Sequence, residues 1–144
     1  MNKKKFYQKL IKRRKEVMDQ PSVGKNCAST ALYLIAETRK DEIPYSKKYL
    51  DESSRIDRLY EKIQNLKLSE KPEIGYLIEW HARENLMFHT GVIVKLNPLS
   101  ISHRAGYEGE FVKCQNISEI VEEKMNLKRT FRVPSKLQKI LGRN

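Results

Sequence analysis

Lys25-Asn26-Cys27-Ala28-Ser29-Thr30-Ala31-Leu32-Tyr33-Leu34-Ile35-Ala36 reads as a helix that begins at a cysteine and is apolar on nearly every side. Asn26 is a good N-cap, and Gly24 ahead of it lets the backbone turn. The periodicity carries the helix to about Arg39. A helix that is apolar all round belongs in the middle of a domain. A cysteine in its first turn lies at the positive end of the macrodipole, among backbone N–H groups that have no partner within the helix. That setting lowers a thiol pKa and favours the nucleophilic thiolate. The same N–H groups are suited to holding a developing oxyanion. Cysteine is also one of the most buried residue types, so an inert core thiol is the competing reading of this stretch alone.

Working outward, the chain divides into helices first and strands second. Asp19–Gly24 is a connecting loop by its Pro, Ser and Gly content. Residues 3–18 form a basic helix with a partial apolar stripe at Phe6, Leu10 and Val17 and, one position over, Tyr7, Ile11 and Met18, broken by Arg13 and Arg14. Downstream, Asp41–Asp51 is polar, and Ser53 or Ser54 caps a helix with Ile56, Leu59, Tyr60, Ile63 and Leu66 at helical spacing. After Pro72 the period changes to that of strands: Ile74–Trp80, Met87–Leu96 and, past a turn at Asn97-Pro98, Ser100–Ala105. Phe111–Cys114 and Arg129–Val133 complete about five strands. Asn116 is expected to start a helix carrying Ile117, Ile120, Val121 and Met125, and Ser135 a short terminal one. The plan is α+β: N-terminal helices, one of them buried and starting at Cys27, packed on an antiparallel sheet.

The 144 residues suit a basic N-terminal segment (1–20) and one domain (21–144), large enough to bury a core without disulfides. Eight cations against Glu16 give the first sixteen residues +7 of the net +11, leaving +4 for the other 128. This basic segment reads first as a helix that packs loosely on the domain with a solvated basic face, and as the alternative a contact for a polyanion, either nucleic acid or anionic lipid. No window is apolar for the length of a membrane span, and the basic N-terminus lacks the apolar run of a secretory signal. The expected address is therefore cytoplasmic, with export by a non-standard route left open.

His89 and His103 lie on consecutive strands. If Val94 pairs with Pro98, His89 stands directly opposite His103, where cross-strand Cβ atoms are about 4.5–5.5 Å apart. One imidazole can then accept the Cys27 proton while the second fixes its tautomer, a nucleophile–base–orienter set. A zinc site of Cys27, His89, His103 and Cys114 is the rival, disfavoured by the absence of closely spaced ligand pairs. Cys114 is expected to be a packing residue and His81 to be exposed. No metal or cofactor is expected.

Asn26-Cys27-Ala28-Ser29-Thr30-Ala31-Leu32, Pro72-Glu73-Ile74-Gly75-Tyr76-Leu77-Ile78, His89-Thr90-Gly91-Val92-Ile93-Val94 and Ile101-Ser102-His103 together resemble the NlpC-type cysteine peptidases of the papain-like superfamily. The resemblance spans about residues 22–112, with 62 residues from Cys27 to His89 and 14 from His89 to His103. It implies a papain-like fold with Cys27 as nucleophile, His89 as base and His103 as orienter. It also implies hydrolysis of an amide, most often in peptidoglycan stem peptides. The family's Asp-Cys-Ser-Gly is Asn26-Cys27-Ala28-Ser29 here, and the Asp of its Gly-Asp-Leu is Tyr76, both near the substrate pocket. Arg104, Tyr107 and Glu108, just past His103, are placed to touch substrate. Two other functions fit the same residues: an acyltransferase or deamidase on this fold, and a non-enzymatic module binding a polyanion through the basic segment.

Overall fold

The computed structural model describes residues 2–43, 52–81, 87–120 and 127–142. Among them are four helices and a six-stranded antiparallel sheet, an α+β architecture. The elements run α1 (Lys3–Met18), α2 (Cys27–Leu34), α3 (Glu52–Gln64), β1 (Lys67–Ser69), β2 (Leu77–His81), β3 (Met87–Leu96), β4 (Leu99–Arg104) and β5 (Phe111–Asn116). A single 3-10 turn at Ile117–Glu119, β6 (Lys128–Val133) and α4 (Ser135–Leu141) complete them. The strands lie in the order β1-β6-β2-β3-β4-β5, so the last strand of the chain inserts beside β2 and leaves β1 at the edge.

α2 is set at its start by local chemistry. Asn26 Oδ1 accepts from the Ser29 N–H at 2.7 Å, and Ser29 Oγ accepts from the Asn26 N–H at 2.9 Å, a reciprocal capping box. Its end falls earlier than the expected Arg39. Ile35 is the C-cap, and Ala36 takes φ +65°, the left-handed conformation that stops a helix. Seven of its eight residues are buried, as an all-round apolar helix requires.

α1 joins the same core. Phe6, Leu10 and Val17 are buried in it, and Tyr7 packs against it. Gly75 (φ +92°) is where the chain passes beneath α1; a Cβ there would come within 2.8 Å of Phe6 Cε1, so both the conformation and the space call for glycine. This explains why β2 begins at Leu77 rather than at Ile74: residues 74–75 are occupied in that turn. Arg13 lies over the Tyr33 ring at 5.4 Å, and Arg14 donates to the Lys113 carbonyl at 2.9 Å, so both arginines that interrupt the stripe contact the body of the fold.

Three further expectations need correction. β1 is a strand that the sequence pattern does not announce; it is three residues long and mostly exposed, and such an edge carries little pattern. β5 runs on to Asn116, and the helix expected there is the single 3-10 turn as far as Ile120; Val121 and Met125 lie outside the described residues. Ser53 and Ser54 lie inside α3, behind Glu52. Among the described residues no helix is long and apolar enough to cross a membrane.

Candidate active site

α2 packs on β3 and β4 with its N-terminus at the sheet's histidine-bearing face. Cys27, His89, His103 and a residue not anticipated from sequence, Gln115 of β5, line one cavity of about 580 Å³. The β3–β4 register differs from the expectation: Val92 pairs with Ser102 and Ile93 with Ile101, with a bulge on the way to the turn. His103 therefore faces Gly91, and His89 is its diagonal neighbour on the same sheet face. The missing side chain of Gly91 leaves the room that His103 and Ile101 occupy. A Cβ there would come within 3.0 Å of His103 Cβ and 2.5 Å of Ile101 Cδ1, so a side chain at this position would displace His103.

His89 Nε2 and His103 Nδ1 are 2.8 Å apart, and His103 Nε2 lies 2.7 Å from Gln115 Oε1. With the amide oxygen of Gln115 accepting from His103 Nε2–H, His103 Nδ1 carries a lone pair and accepts from His89 Nε2–H. The proton of His89 is thereby assigned to Nε2, and its Nδ1 is the free base. The Trp80 ring stacks on His89 at 5.7 Å and 23°, closing one side of the base. Trp80 pairs with His89 across β2 and β3, so this contact follows directly from strand pairing.

The electrostatics depart from the helix-dipole expectation. Burial pushes the Cys27 thiol up; the backbone N–H groups of Thr90, Ala28 and Cys27 itself pull it back only in part. Burial, then the neighbouring His103, pushes His89 down to about 4. His103 is lowered by burial as well, opposed by its bond to Gln115. At neutral pH the site therefore rests as thiol and neutral imidazole, not as a thiolate–imidazolium pair. Tyr60, on α3 and lining the same cavity, is pushed up to about 12 by burial and next by Cys27, and keeps its hydroxyl proton.

A buried polar cluster anchors the Cys27 turn from behind. Asp41 accepts from Ser29 Oγ at 3.1 Å and Thr30 Oγ1 at 2.9 Å, and pairs with Arg104 at 3.7 Å and Lys25 at 4.0 Å. Arg104 also donates to Thr30 Oγ1 (2.9 Å), Ser22 Oγ (2.7 Å) and the Gly109 carbonyl (2.8 Å).

Of the three residues expected to touch substrate, Tyr107 lines the cavity and the other two do not. Arg104 is wholly buried in the cluster just described, bonded to Thr30 of α2, and does not line the cavity. Glu108 accepts from the Gly24 N–H at 3.1 Å, and its own N–H donates to the Lys25 carbonyl at 2.8 Å, so it clasps the loop to the start of α2. Cys114 is exposed on β5 rather than packed and does not line the cavity. His81, expected to be exposed, is buried, 2.9 Å from Thr130 Oγ1 and 3.5 Å from Glu79. Among the described residues no three His, Cys, Asp or Glu side chains are grouped to hold a metal ion.

No family model matches the chain, and no curated protein matches it.

Proposed function

We propose that this chain is a thiol-dependent amide hydrolase of the NlpC-type, papain-like kind. The observation that carries the reading is the continuous contact from His89 through His103 to Gln115 in the cavity onto which Cys27 opens. His89 Nδ1 takes the thiol proton as Sγ attacks the carbonyl carbon of the amide. The oxyanion that forms is held by backbone N–H groups at the start of α2. His89 then returns the proton to the departing amine, leaving a thioester on Cys27. A water deprotonated by His89 attacks that thioester, the C–S bond breaks, and the thiol and a carboxylic acid are released. His103 holds the base in its productive tautomer, and its own hydrogen bond to Gln115 fixes that choice.

Because the pair rests uncharged, proton transfer accompanies attack rather than preceding it, so general-base assistance by His89 is the main lever at neutral pH. The resemblance implies cell-wall stem peptides as substrate, while the reaction class rests on the triad alone. Release of amine from a peptide-amide panel and from wall peptides, followed in wild type, Cys27→Ala and His89→Ala, tests the reading. Loss of about a thousandfold or more in both variants is expected. Turnover that survives Cys27→Ala contradicts it.

A further inference from the structure

We infer that the acyl group this cavity takes is apolar, and that a carboxylate on it is rejected. The inference rests on the hydrolase reading for what happens at Cys27, but the wall that carries it is independent of that chemistry. Beyond the triad the cavity is walled by Ile56 and Tyr60 from α3, Ala105 and Tyr107 from the β4–β5 loop, and Ile120 beside the 3-10 turn. These side chains come from three separate parts of the chain and converge on one space. Its volume of about 580 Å³ is within the range of sites that enclose a small molecule, about 300–1,000 Å³. It is too large to be filled by the amide being cleaved, so a side chain or short acyl chain is needed to displace its water.

An apolar group gains from that displacement in proportion to the area it buries. Tyr60 adds to the same preference, since a phenol held in its neutral form presents an aromatic face with a single donor. Among the described residues the charged side chain on the wall is Glu119, exposed in the 3-10 turn. A substrate carboxylate would meet like charge there, whereas an amine would meet its complement. The acyl group bonded to Cys27 in the intermediate is therefore an uncharged aliphatic or aromatic one.

The experiment is binding to Cys27→Ala, which cannot turn over, set beside turnover by wild type. N-methyl amides of acetic, butyric and hexanoic acids form the apolar series, and N-methylsuccinamic acid is the anionic counterpart of the butyric amide. Binding is followed by NMR titration of the tyrosine ring signals. Affinity is expected to rise about fourfold for each methylene buried within the wall. The anionic analogue is expected to bind at least about tenfold more weakly than the butyric amide, and Glu119→Gln to narrow that gap. Affinity independent of chain length, or tighter binding of the anionic analogue, overturns the inference. If the apolar series binds as expected and wild type cleaves no amide, the hydrolase reading fails while the pocket assignment stands. If wild type cleaves amides without the apolar preference, the pocket assignment fails and the hydrolase reading stands.

Discussion

Replacing Gln115 tests the proton arrangement of the site more sharply than replacing either histidine. In the native site the amide oxygen of Gln115 accepts from His103 Nε2–H at 2.7 Å, and His103 accepts from His89 at 2.8 Å. If the His103 proton moved to Nδ1, His89 Nε2 would have to become the acceptor. The His89 proton would then sit on Nδ1 and the base would be lost. The two rings change tautomer together, and Gln115 decides which arrangement prevails. A neutral hydrogen bond contributes about 1 kcal/mol net, about fivefold in the balance between the two arrangements. Gln115→Leu should therefore mix the tautomers and slow Cys27 alkylation at neutral pH by up to about twofold. Gln115→Glu keeps an acceptor and adds a charge, so it should preserve both tautomers. It should also raise the His89 pKa above about 4, by about one unit for each additional 1.4 kcal/mol of stabilisation. Nitrogen-15 NMR of the histidine rings reads the tautomers directly. Finding His89 protonated at Nδ1 in the wild type, or tautomers unmoved by Gln115→Leu, would refute the reasoning.

The depressed His89 pKa also makes stability depend on pH. The folded value of about 4 lies below the unfolded value of about 6.5, so the unfolded chain binds the proton first on acidification. The contribution is present above pH 6.5 and lost as pH falls toward 4, about 3 kcal/mol in all; urea midpoints at pH 7, 5 and 4 should show the loss, and His89→Gln should flatten it. Arg104→Met leaves the buried Asp41 carboxylate with Lys25 at 4.0 Å as its counter-charge, and should cost about 3–5 kcal/mol of unfolding free energy. The double variant with Asp41→Asn should lose less than the two singles together; strict additivity would argue against a shared cluster. Gly91→Ala places a methyl within 3.0 Å of His103 Cβ and should destabilise by about 1–3 kcal/mol while parting the histidine rings; a crystal structure with the 2.8 Å contact intact would count against the role given to this glycine.

The parts of the fold governed by short-range chemistry are legible in the sequence. The start of α2 follows from Asn26 and Ser29, three residues apart, whereas its end at Leu34 turns on the left-handed Ala36, which no glycine announces. The shared face of His89 and His103 is readable because a two-residue change of register preserves the face. Their direct opposition is not, because the bulge between Ile93 and Lys95 shifts the pairing. Gln115 escapes a reading of the sequence because its partner is set by the β4–β5 pairing, itself irregular between Ile101 and His103. A polar residue one strand beyond the second histidine is the available signal. The helix dipole alone gives the wrong direction for the thiol, because position in a helix is visible in a sequence and depth of burial is not. Arg104 misleads for a related reason: its position just past His103 suggests contact with substrate, and only the folded chain shows it bonded to Asp41 and Thr30.

The central claim is that His89 serves Cys27 as a base, and alkylation of Cys27 as a function of pH tests it most directly. Iodoacetamide labelling of Cys27 and Cys114, resolved by peptide mass spectrometry in wild type and His89→Ala, is the measurement. Cys27 is expected to label faster than Cys114 at pH 7, with a wild-type rate that climbs as His89 loses its proton near pH 4. His89→Ala should abolish the advantage at neutral pH, leaving Cys27 to react only as hydroxide ionises its buried thiol. Cys27 labelling that is no faster than that of Cys114, or that is indifferent to His89→Ala at pH 7, would contradict the claim.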